Sequence, residues 1–463
     1  MSAPRFSRRD ACIALTAGLA ASAASSAQDA AAINKDLESR KNVLVHTTHP
    51  EAQWFPNAGL GLFMHWGIAS VHGNIDISWG MMHGMGSGVK ITPEEYFQLA
   101  ERFRPEHWDP DRMMAAAAKA GFRYAVLTTK HHEGFALWPS AHGDFNTRKY
   151  LGGRDLVAPY VEACRKHGLK VGFYYSPGDW YYARQYMSFN YRSAHCWQNT
   201  GLACRPEVPD YDTRFQTVTL PVRPPEFEQA YRDYKRGQIR ELLTRYGKVD
   251  LLWFDMADVV MTPAEIRALQ PGIVINNRMG SDTGDFLTPE GAFPKEKPTG
   301  WWELCSIWNS PNWGYVAKNE ERYLPLDSFL STLAKVRAWN GNLLINVGPR
   351  PDGAMPKPFW EGMEQLAGWM KHSGEAIFGT AAGPWPGASE FPVTVKGNRW
   401  YVHVPSSFRE PALSVKMPAA PKSARLLRTG LALPITFGAG AARVELPVPS
   451  RSELADVVEL TVS

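Results

Sequence analysis

The chain has 463 residues, of which 44% are hydrophobic and 12% aromatic, so it can bury a large core and is too long for one ordinary domain. Its 50 basic and 46 acidic residues leave a formal charge of +4, which is too small for the concentrated positive field that nucleic acid binding needs. Nucleic acid is therefore not expected as a partner.

The first 27 residues have the features of an export signal. Arg8 and Arg9 precede a short apolar stretch from Ala11 to Ala21, and small residues continue to Ala27, where a signal peptidase could cleave. The apolar stretch is too short and too rich in alanine to span a bilayer stably. We predict a twin-arginine signal peptide over residues 1–27, and a mature bacterial protein that is periplasmic or secreted without membrane insertion.

Short apolar runs alternate with amphipathic segments from about residue 45 to 380. The predicted strands lie in "GLGLFMHWG", "YAVLTTKHH", "KVGFYYSPGDW", "DLLWFDM", "GIVINNR" and "NLLINVGP". The predicted helices lie in "PDRMMAAAAKAG", "DLVAPYVEACRKHG" and "FEQAYRDYKRGQIRELLTRYG", where apolar residues recur every three or four positions and Gly247 marks a helix end. This alternation predicts a parallel sheet.

The ends of these strands favour a closed barrel over an open sheet. In a (β/α)8 barrel the active site is built at the C-terminal ends of the strands, and at least five of the six strands end in residues that can carry chemistry. An open, doubly wound sheet more often shows a glycine-rich turn, and the chain has no convincing GxGxxG or P-loop. We predict a (β/α)8-like barrel over residues 28–380.

The chain after residue 380 has a different pattern of apolar and polar residues. Short alternating runs such as "FPVTVKGNRWYVHV", "ALSVKM" and "ARVELPV" are separated by glycine, proline and serine. This pattern predicts a C-terminal antiparallel β-sandwich over residues 381–463.

A long polar segment, residues 181–225, fits neither pattern and follows a strand end, so we expect it to overhang the site. Cys196 and Cys204 lie within it, and an oxidising compartment would allow them to pair, although the sequence leaves this open. No CxxC pair occurs, so no zinc-ribbon pattern is present.

Asp255 is the strongest candidate for a catalytic residue. In "VDLLWFDM" five of the six residues before it are apolar or aromatic, and burying a carboxylate there costs several kcal/mol unless it is paired or has a function. The structural alternative is a carboxylate that caps the next helix or pairs with an arginine.

Breaking a glycosidic bond usually needs a second carboxyl group that protonates the leaving oxygen. Glu290 in "GDFLTPEGAFP" is one candidate and Glu303 in "GWWELCSIW" is its competitor, both expected on loops, as is Asp285. Histidines that end strands suit hydrogen bonds to hydroxyl groups. A metal site formed by His131 and His132 is disfavoured, because adjacent strand positions point to opposite faces and no third ligand is well spaced.

The chain resembles the α-L-fucosidases of glycoside hydrolase family 29. The resemblance runs over roughly residues 50–355 and is carried by "GLFMHWGIASV", "LTTKHHEGFALW", "GRDLVAPYVEACRKHGLKVGFYYSPGDW", "YGKVDLLWFDM", "WNSPNWGY" and "NLLINVGPRPDG", in that order. It implies a barrel followed by a β-sandwich, a retaining exo-acting mechanism on terminal α-L-fucosyl groups of oligosaccharides or glycoconjugates, and no metal or organic cofactor.

The resemblance also implies roles for individual residues. Asp255 would be the nucleophile, and Glu290, in a "DFxTxE" setting, is our first choice as acid/base, with Glu303 in a "WE" segment as the second. The residues implied to bind the sugar are His65, Trp79, His131, His132, Tyr174, Arg278 and Trp313. Asn277 stands where the family's "NDR" segment has aspartate.

One departure from the family pattern concerns the sugar pocket. Where members usually carry "EW", this chain has Ser78 followed by Trp79 in "DISWGMM", which removes an acceptor for a sugar hydroxyl. Asp76 could replace it if the loop bends. The alternatives are therefore a related glycosidase with altered sugar specificity, or a non-catalytic carbohydrate-binding protein on the same fold.

Overall fold

A computed structural model describes residues 44–85, 91–193, 207–256, 258–280, 283–309 and 311–462 of the chain. The predicted signal peptide, Cys196 and Cys204 lie outside these ranges. In the described part of the chain, no helix is long and apolar enough to cross a bilayer.

The strands are numbered in chain order. They are β1 Leu60–Met64, β2 Tyr124–Lys130, β3 Lys170–Tyr175, β4 Asp210–Tyr211, β5 Thr217–Val218, β6 Leu251–Phe254, β7 Val274–Ile275, β8 Phe286–Leu287, β9 Trp301–Ile307, β10 Asn342–Val347, β11 Ala381–Ala382, β12 Val393–Lys396, β13 Arg399–Val404, β14 Ala412–Lys416, β15 Ser423–Leu426, β16 Ile435–Gly438, β17 Ala441–Glu445 and β18 Asp456–Thr461.

The α-helices are α1 Ala69–His72, α2 Pro93–Gln98, α3 Pro110–Lys119, α4 Thr147–Tyr150, α5 Ala158–Lys166, α6 Pro225–Arg245, α7 Pro263–Leu269, α8 Leu326–Ala338 and α9 Lys357–Ser373. Local chemistry explains where several of them begin. Proline occupies the first turn of α2, α3 and α7, where its missing N–H costs nothing. A capping box formed by Thr262 and Glu265 starts α7, and Gly247 follows α6 with a positive φ of 67°.

Eight parallel strands form the larger sheet, in the order β7-β6-β3-β2-β1-β10-β9-β8. The sheet closes into a barrel because Asn276, just after β7, pairs with Phe286 of β8. The registers place Met64 of β1 opposite Leu127 of β2 and Val347 of β10. The residues that follow these strands therefore meet at one end of the barrel.

The predicted fold class is confirmed, and all six predicted barrel strands are present. The remaining two, β8 and β9, were not predicted as strands. Glu303 and Asp285 were both expected on loops. The structure corrects this for Glu303, which lies within β9. Asp285 lies between β7 and β8, where it accepts hydrogen bonds from Arg267, Ile275 N–H and Thr47 N–H.

The C-terminal part forms two antiparallel sheets, with strand orders β11-β12-β13-β18-β15 and β14-β17-β16. Apolar residues from both sheets, including Val402, Val415, Val444 and Leu460, form a separate core. Contacts such as the Trp369 Nε1–H bond to the Ala455 carbonyl join this sandwich to α9 of the barrel. It lies on the helical shell of the barrel.

Candidate active site

The candidate site lies where the barrel strands end. His65 follows β1, His131 and His132 follow β2, and Asp255 follows β6. Tyr174 lies near the end of β3. Because all these strands are parallel, their C-terminal ends meet at one mouth, and the sequence-predicted residues are brought together there.

Asp255 is held by two side chains and still reaches the mouth. The Tyr174 hydroxyl donates to Oδ2 at 3.0 Å, and Arg278 Nη1 donates to Oδ1 at 3.2 Å. The side chain of Asp255 keeps 23% of its surface exposed. Asp255 pairs with an arginine, as a carboxylate with a purely structural role would. This pairing nevertheless leaves the carboxylate accessible to a ligand.

Arg278 links Asp255 to Glu290. Its Nη2 lies 2.8 Å from Glu290 Oε2, so one guanidinium contacts both carboxylates. Its Nε donates to Thr288 Oγ1 at 2.8 Å, and its guanidinium lies over the Trp253 ring. Burial alone would lower the pKa of Arg278, but the nearby charges, Glu290 first, raise it overall. Arg278 is therefore a fixed cation between the two acids.

Glu303 is placed differently from Glu290. Its side chain is fully buried inside the barrel, where the Tyr124 hydroxyl donates to Oε2 at 2.5 Å and Trp253 Nε1 donates to Oε1 at 3.0 Å. Burial raises the pKa of Glu303 to about 7. With both oxygens engaged beneath the mouth, Glu303 has no route to a leaving group, and the geometry favours Glu290 as the acid.

His65 and His132 are buried, neutral hydrogen-bonding groups. His65 Nδ1 lies 2.7 Å from Asn346 Oδ1, and His132 Nδ1 lies 2.7 Å from Ser176 Oγ. Burial, then the neighbouring His131, lowers the pKa of His65 to about 3 and that of His132 well below its usual value. A neutral imidazole offers one donor and one acceptor, which suits a sugar hydroxyl.

His131 and His132 lie side by side, with ring centroids 4.0 Å apart. Strand β2 ends at Lys130, before both residues, so the alternation of strand side chains does not separate them. The His131 ring stacks on Tyr174, and its Nδ1 lies 2.6 Å from Ser78 Oγ. Ser78 therefore positions a histidine of the site.

Two tryptophans complete the mouth. Trp79 lies edge-on to His132 and to Trp180, while the Trp313 ring lies 5.1 Å from His65. The carboxylate of Asp76 accepts hydrogen bonds from the backbone N–H groups of Trp313 and Gly314. Asp76 therefore holds the Trp313 loop.

The side chains of His131, His132 and Asp255 have possible metal-ligand atoms within 4.8 Å of one another. The donor set fits a cation poorly, since the Asp255 oxygens already accept from Tyr174 and from the positive Arg278. Electrostatic repulsion from the guanidinium opposes a second positive charge.

Three residues that orient this site were not predicted from the sequence. Asn346 and Ser176 hold the two histidines, and Glu133 lies 3.6 Å from His131 Nδ1. Asn346 is a polar residue within the apolar run of β10. A polar residue in such a run indicates a functional role and could have been recognised from the sequence. Glu133 directly follows the predicted His132, and Ser176 lies two positions after the predicted Tyr174, so the sequence does not distinguish either of them as a separate candidate.

A carboxylate pair at the C-terminal mouth of a barrel is the arrangement of a glycoside hydrolase. A family model described as alpha-L-fucosidase matches residues 24–375. The chain belongs to this α-L-fucosidase family of glycoside hydrolases.

Individual relatives agree with this assignment. The chain is 28% identical to the tissue α-L-fucosidase of Rattus norvegicus, with 76% of this chain and 74% of that protein covered. The structure of α-L-fucosidase isoenzyme 1 from Paenibacillus thiaminolyticus matches with a TM-score of 0.73 and 30% identity, covering 89% of this chain and 99% of that one. The Thermotoga maritima α-fucosidase, solved with a mechanism-based inhibitor, matches with a TM-score of 0.67 and 27% identity, covering 89% and 97%.

Proposed function

We propose that the protein removes terminal α-L-fucosyl groups from oligosaccharides or glycoconjugates with retention of anomeric configuration. Asp255 is the nucleophile and Glu290 the acid/base in this proposal. The names of the relatives support fucose as the sugar that is removed. The contacts of Arg278 with both carboxylates support Asp255 and Glu290 as the catalytic pair.

In the first step, an Asp255 oxygen bonds to the anomeric carbon while the glycosidic bond breaks. Glu290 gives its proton to the leaving oxygen, and the products are the free aglycone and a glycosyl ester of Asp255. Tyr174 and Arg278 orient the Asp255 carboxylate before the attack. The neutral His65 and His132 bind sugar hydroxyls.

In the second step, the Glu290 carboxylate takes a proton from water, and the water oxygen bonds to the same carbon. The ester bond breaks, Asp255 leaves as a carboxylate, and Glu290 is protonated again. Two displacements at one carbon restore the original configuration.

The observation that carries this proposal is the single guanidinium that bridges Asp255 and Glu290. In retaining enzymes the two carboxyl groups lie about 5–5.5 Å apart, against roughly 6.5–9.5 Å in inverting ones. Contact of both groups with one guanidinium brings them close enough to act on one glycosidic bond, and the anomer released first distinguishes retention from inversion.

Hydrolysis of an aryl α-L-fucoside followed by proton NMR tests the proposal. We expect α-L-fucose as the first product, which then mutarotates. First release of the β anomer would overturn retention, and binding of fucose without turnover would support a lectin-like protein.

We also propose that the protein is exported by the twin-arginine route and is periplasmic or secreted. The support is the sequence alone, namely Arg8 and Arg9, the short apolar stretch and the small residues up to Ala27. Fractionation of cells that express the full chain should find the activity outside the cytoplasm. Replacing Arg8 and Arg9 by lysine should retain it inside, and unchanged export would contradict this route.

A further inference from the structure

A small cavity lies beside the histidines of the site. Its volume is about 290 Å³ when space open to solvent is included, and it has room for about one water molecule. Its lining includes His65, Ser78, Tyr96, His131 and Glu133. The cavity therefore shares two histidines with the proposed sugar site.

Two polar groups on this cavity make no hydrogen bond to any other residue that the structure describes. The Tyr96 hydroxyl has no partner among the described residues. Glu133 is 4% exposed, and His131 Nδ1 lies 3.6 Å from its carboxylate, beyond hydrogen-bond distance. A carboxylate that accepts no hydrogen bond from the described residues favours a ligand that supplies a donor there.

A series of side-chain contacts runs from Asp255 to the cavity. His132 Nε2 is 3.6 Å from Asp255, the His131 ring lies next to that of His132, and Ser78 and Glu133 lie beyond His131 Nδ1. A pyranose whose anomeric carbon faces Asp255 would extend along these rings. C4, the ring carbon farthest from the anomeric carbon, and the neighbouring C3 would then lie nearest the cavity.

We infer that the cavity receives one hydroxyl group, on C3 or C4 of the sugar, and that Glu133 is its acceptor. This inference rests on the proposed function. A carboxylate accepts and never donates when ionised, so it selects a hydroxyl over a hydrogen atom or a carbonyl. The Tyr96 hydroxyl lies on the same cavity and offers a donor to the lone pairs of the sugar oxygen.

Ser78 makes this arrangement possible. The family resemblance expects a glutamate at position 78 as an acceptor for the sugar, whereas the small serine bonds His131 and leaves the cavity open. Glu133 thus brings a carboxylate to the pocket from the turn after β2 instead of from the segment that carries Ser78. We expect Glu133 to determine specificity and to leave the bond-breaking step to Asp255 and Glu290.

The test compares wild type with Glu133→Gln on an aryl α-L-fucoside and its 3-deoxy and 4-deoxy analogues. Wild type should prefer the parent over one of the deoxy analogues by about 10- to 100-fold in kcat/KM, since a hydrogen bond to a charged group is lost. In Glu133→Gln this ratio should fall severalfold towards one. Glu133→Asp, which shortens the side chain by one methylene group, should also lower this ratio. It replaces the glutamine variant in the test if that variant does not fold.

Glu241→Gln is the matched control. Glu241 is also a mostly buried barrel carboxylate, but it accepts from Trp138, Ser140 and Ala141 and is not part of the cavity lining. Its substitution should leave the parent-to-deoxy ratio unchanged. A merely structural role for Glu133 would lower rates on all three substrates equally and would overturn the inference.

Failure of the inference and failure of the proposed function give different results. A wild type that hydrolyses the fucoside, with deoxy ratios that Glu133→Gln does not change, contradicts the inference alone. A wild type that does not hydrolyse the fucoside contradicts the proposed function. In that case, the Kd of wild type and Glu133→Gln for L-fucose and its deoxy forms still shows whether Glu133 binds the hydroxyl.

Discussion

Arg278 Nη2 lies 2.8 Å from the carboxylate of Glu290. The same guanidinium contacts Asp255, so a loop residue far along the chain is fixed beside a residue at the end of β6. The backbone supports this placement, because Cys305 N–H donates to the Pro289 carbonyl and Gly291 N–H donates to the Cys305 carbonyl. The Glu290 loop is thereby attached to β9.

Glu290→Ala should lower the rate on substrates with poor leaving groups by about 10²- to 10⁴-fold, since the proton donor is lost. With aryl fucosides that have good leaving groups, the rate of the first step should fall less. Added azide should restore turnover by replacing water as the nucleophile of the second step. The measurement is the initial rate with and without azide, together with detection of the fucosyl azide. Glu303→Ala is the comparison, and azide rescue of that variant alone would reverse the assignment.

Asp255→Asn should abolish turnover, with a loss of roughly 10³-fold or more, because an amide cannot form the glycosyl ester. Its fold should persist, since the amide oxygen still accepts a hydrogen bond from Tyr174 or Arg278. Kinetics on an aryl fucoside and a thermal melt check both statements. A rate close to that of wild type would remove Asp255 from the mechanism.

The barrel could be predicted from the sequence because six strands are apolar runs that end in polar residues. The two missed strands lack this pattern for physical reasons. Strand β8 is only the two residues Phe286–Leu287, and β9 carries Glu303 and Ser306 among its apolar residues. Only the fold supplies the Tyr124 and Trp253 donors that allow the burial of Glu303.

The predicted site residues converge at the mouth because their positions follow from strand ends. The residues that orient them could not be found in this way. Asn346 reaches His65 from β10, which is adjacent to β1 in space but about 280 positions later in the chain. The cavity at Ser78 and Glu133 likewise depends on the approach of two separate loops, which no local pattern encodes.

Removal of metal ions should leave the activity unchanged, although His131, His132 and Asp255 lie close enough to suggest a site. Arg278 already neutralises Asp255 and repels a second cation. Activity measured after dialysis against a chelator, with zinc or calcium added back, checks this. Loss on chelation followed by recovery with one metal would favour a metal-dependent hydrolase instead.

Glu303 should make the stability of the protein depend on pH. Burial raises its pKa from 4.5 to about 7 in the folded chain. Below about pH 4.5 both the folded and the unfolded chain hold the proton, so folding carries no ionisation cost. As the pH rises to about 7, the unfolded chain ionises first, and Glu303 comes to cost about 3 kcal/mol of stability above that range.

Glu303→Gln removes this titration and should flatten the decrease in Tm between pH 5 and pH 8. The glutamine keeps the shape of the side chain but can accept at only one of the two oxygens that Tyr124 and Trp253 now contact, so its Tm at pH 5 should be lower than that of wild type. Thermal melts of wild type, Glu303→Gln and Glu241→Gln across this range separate the two effects. The Glu241 variant is the comparison for the loss of a buried carboxyl group elsewhere, and a Glu303 variant that kept the wild-type slope would show that Glu303 does not titrate as we infer.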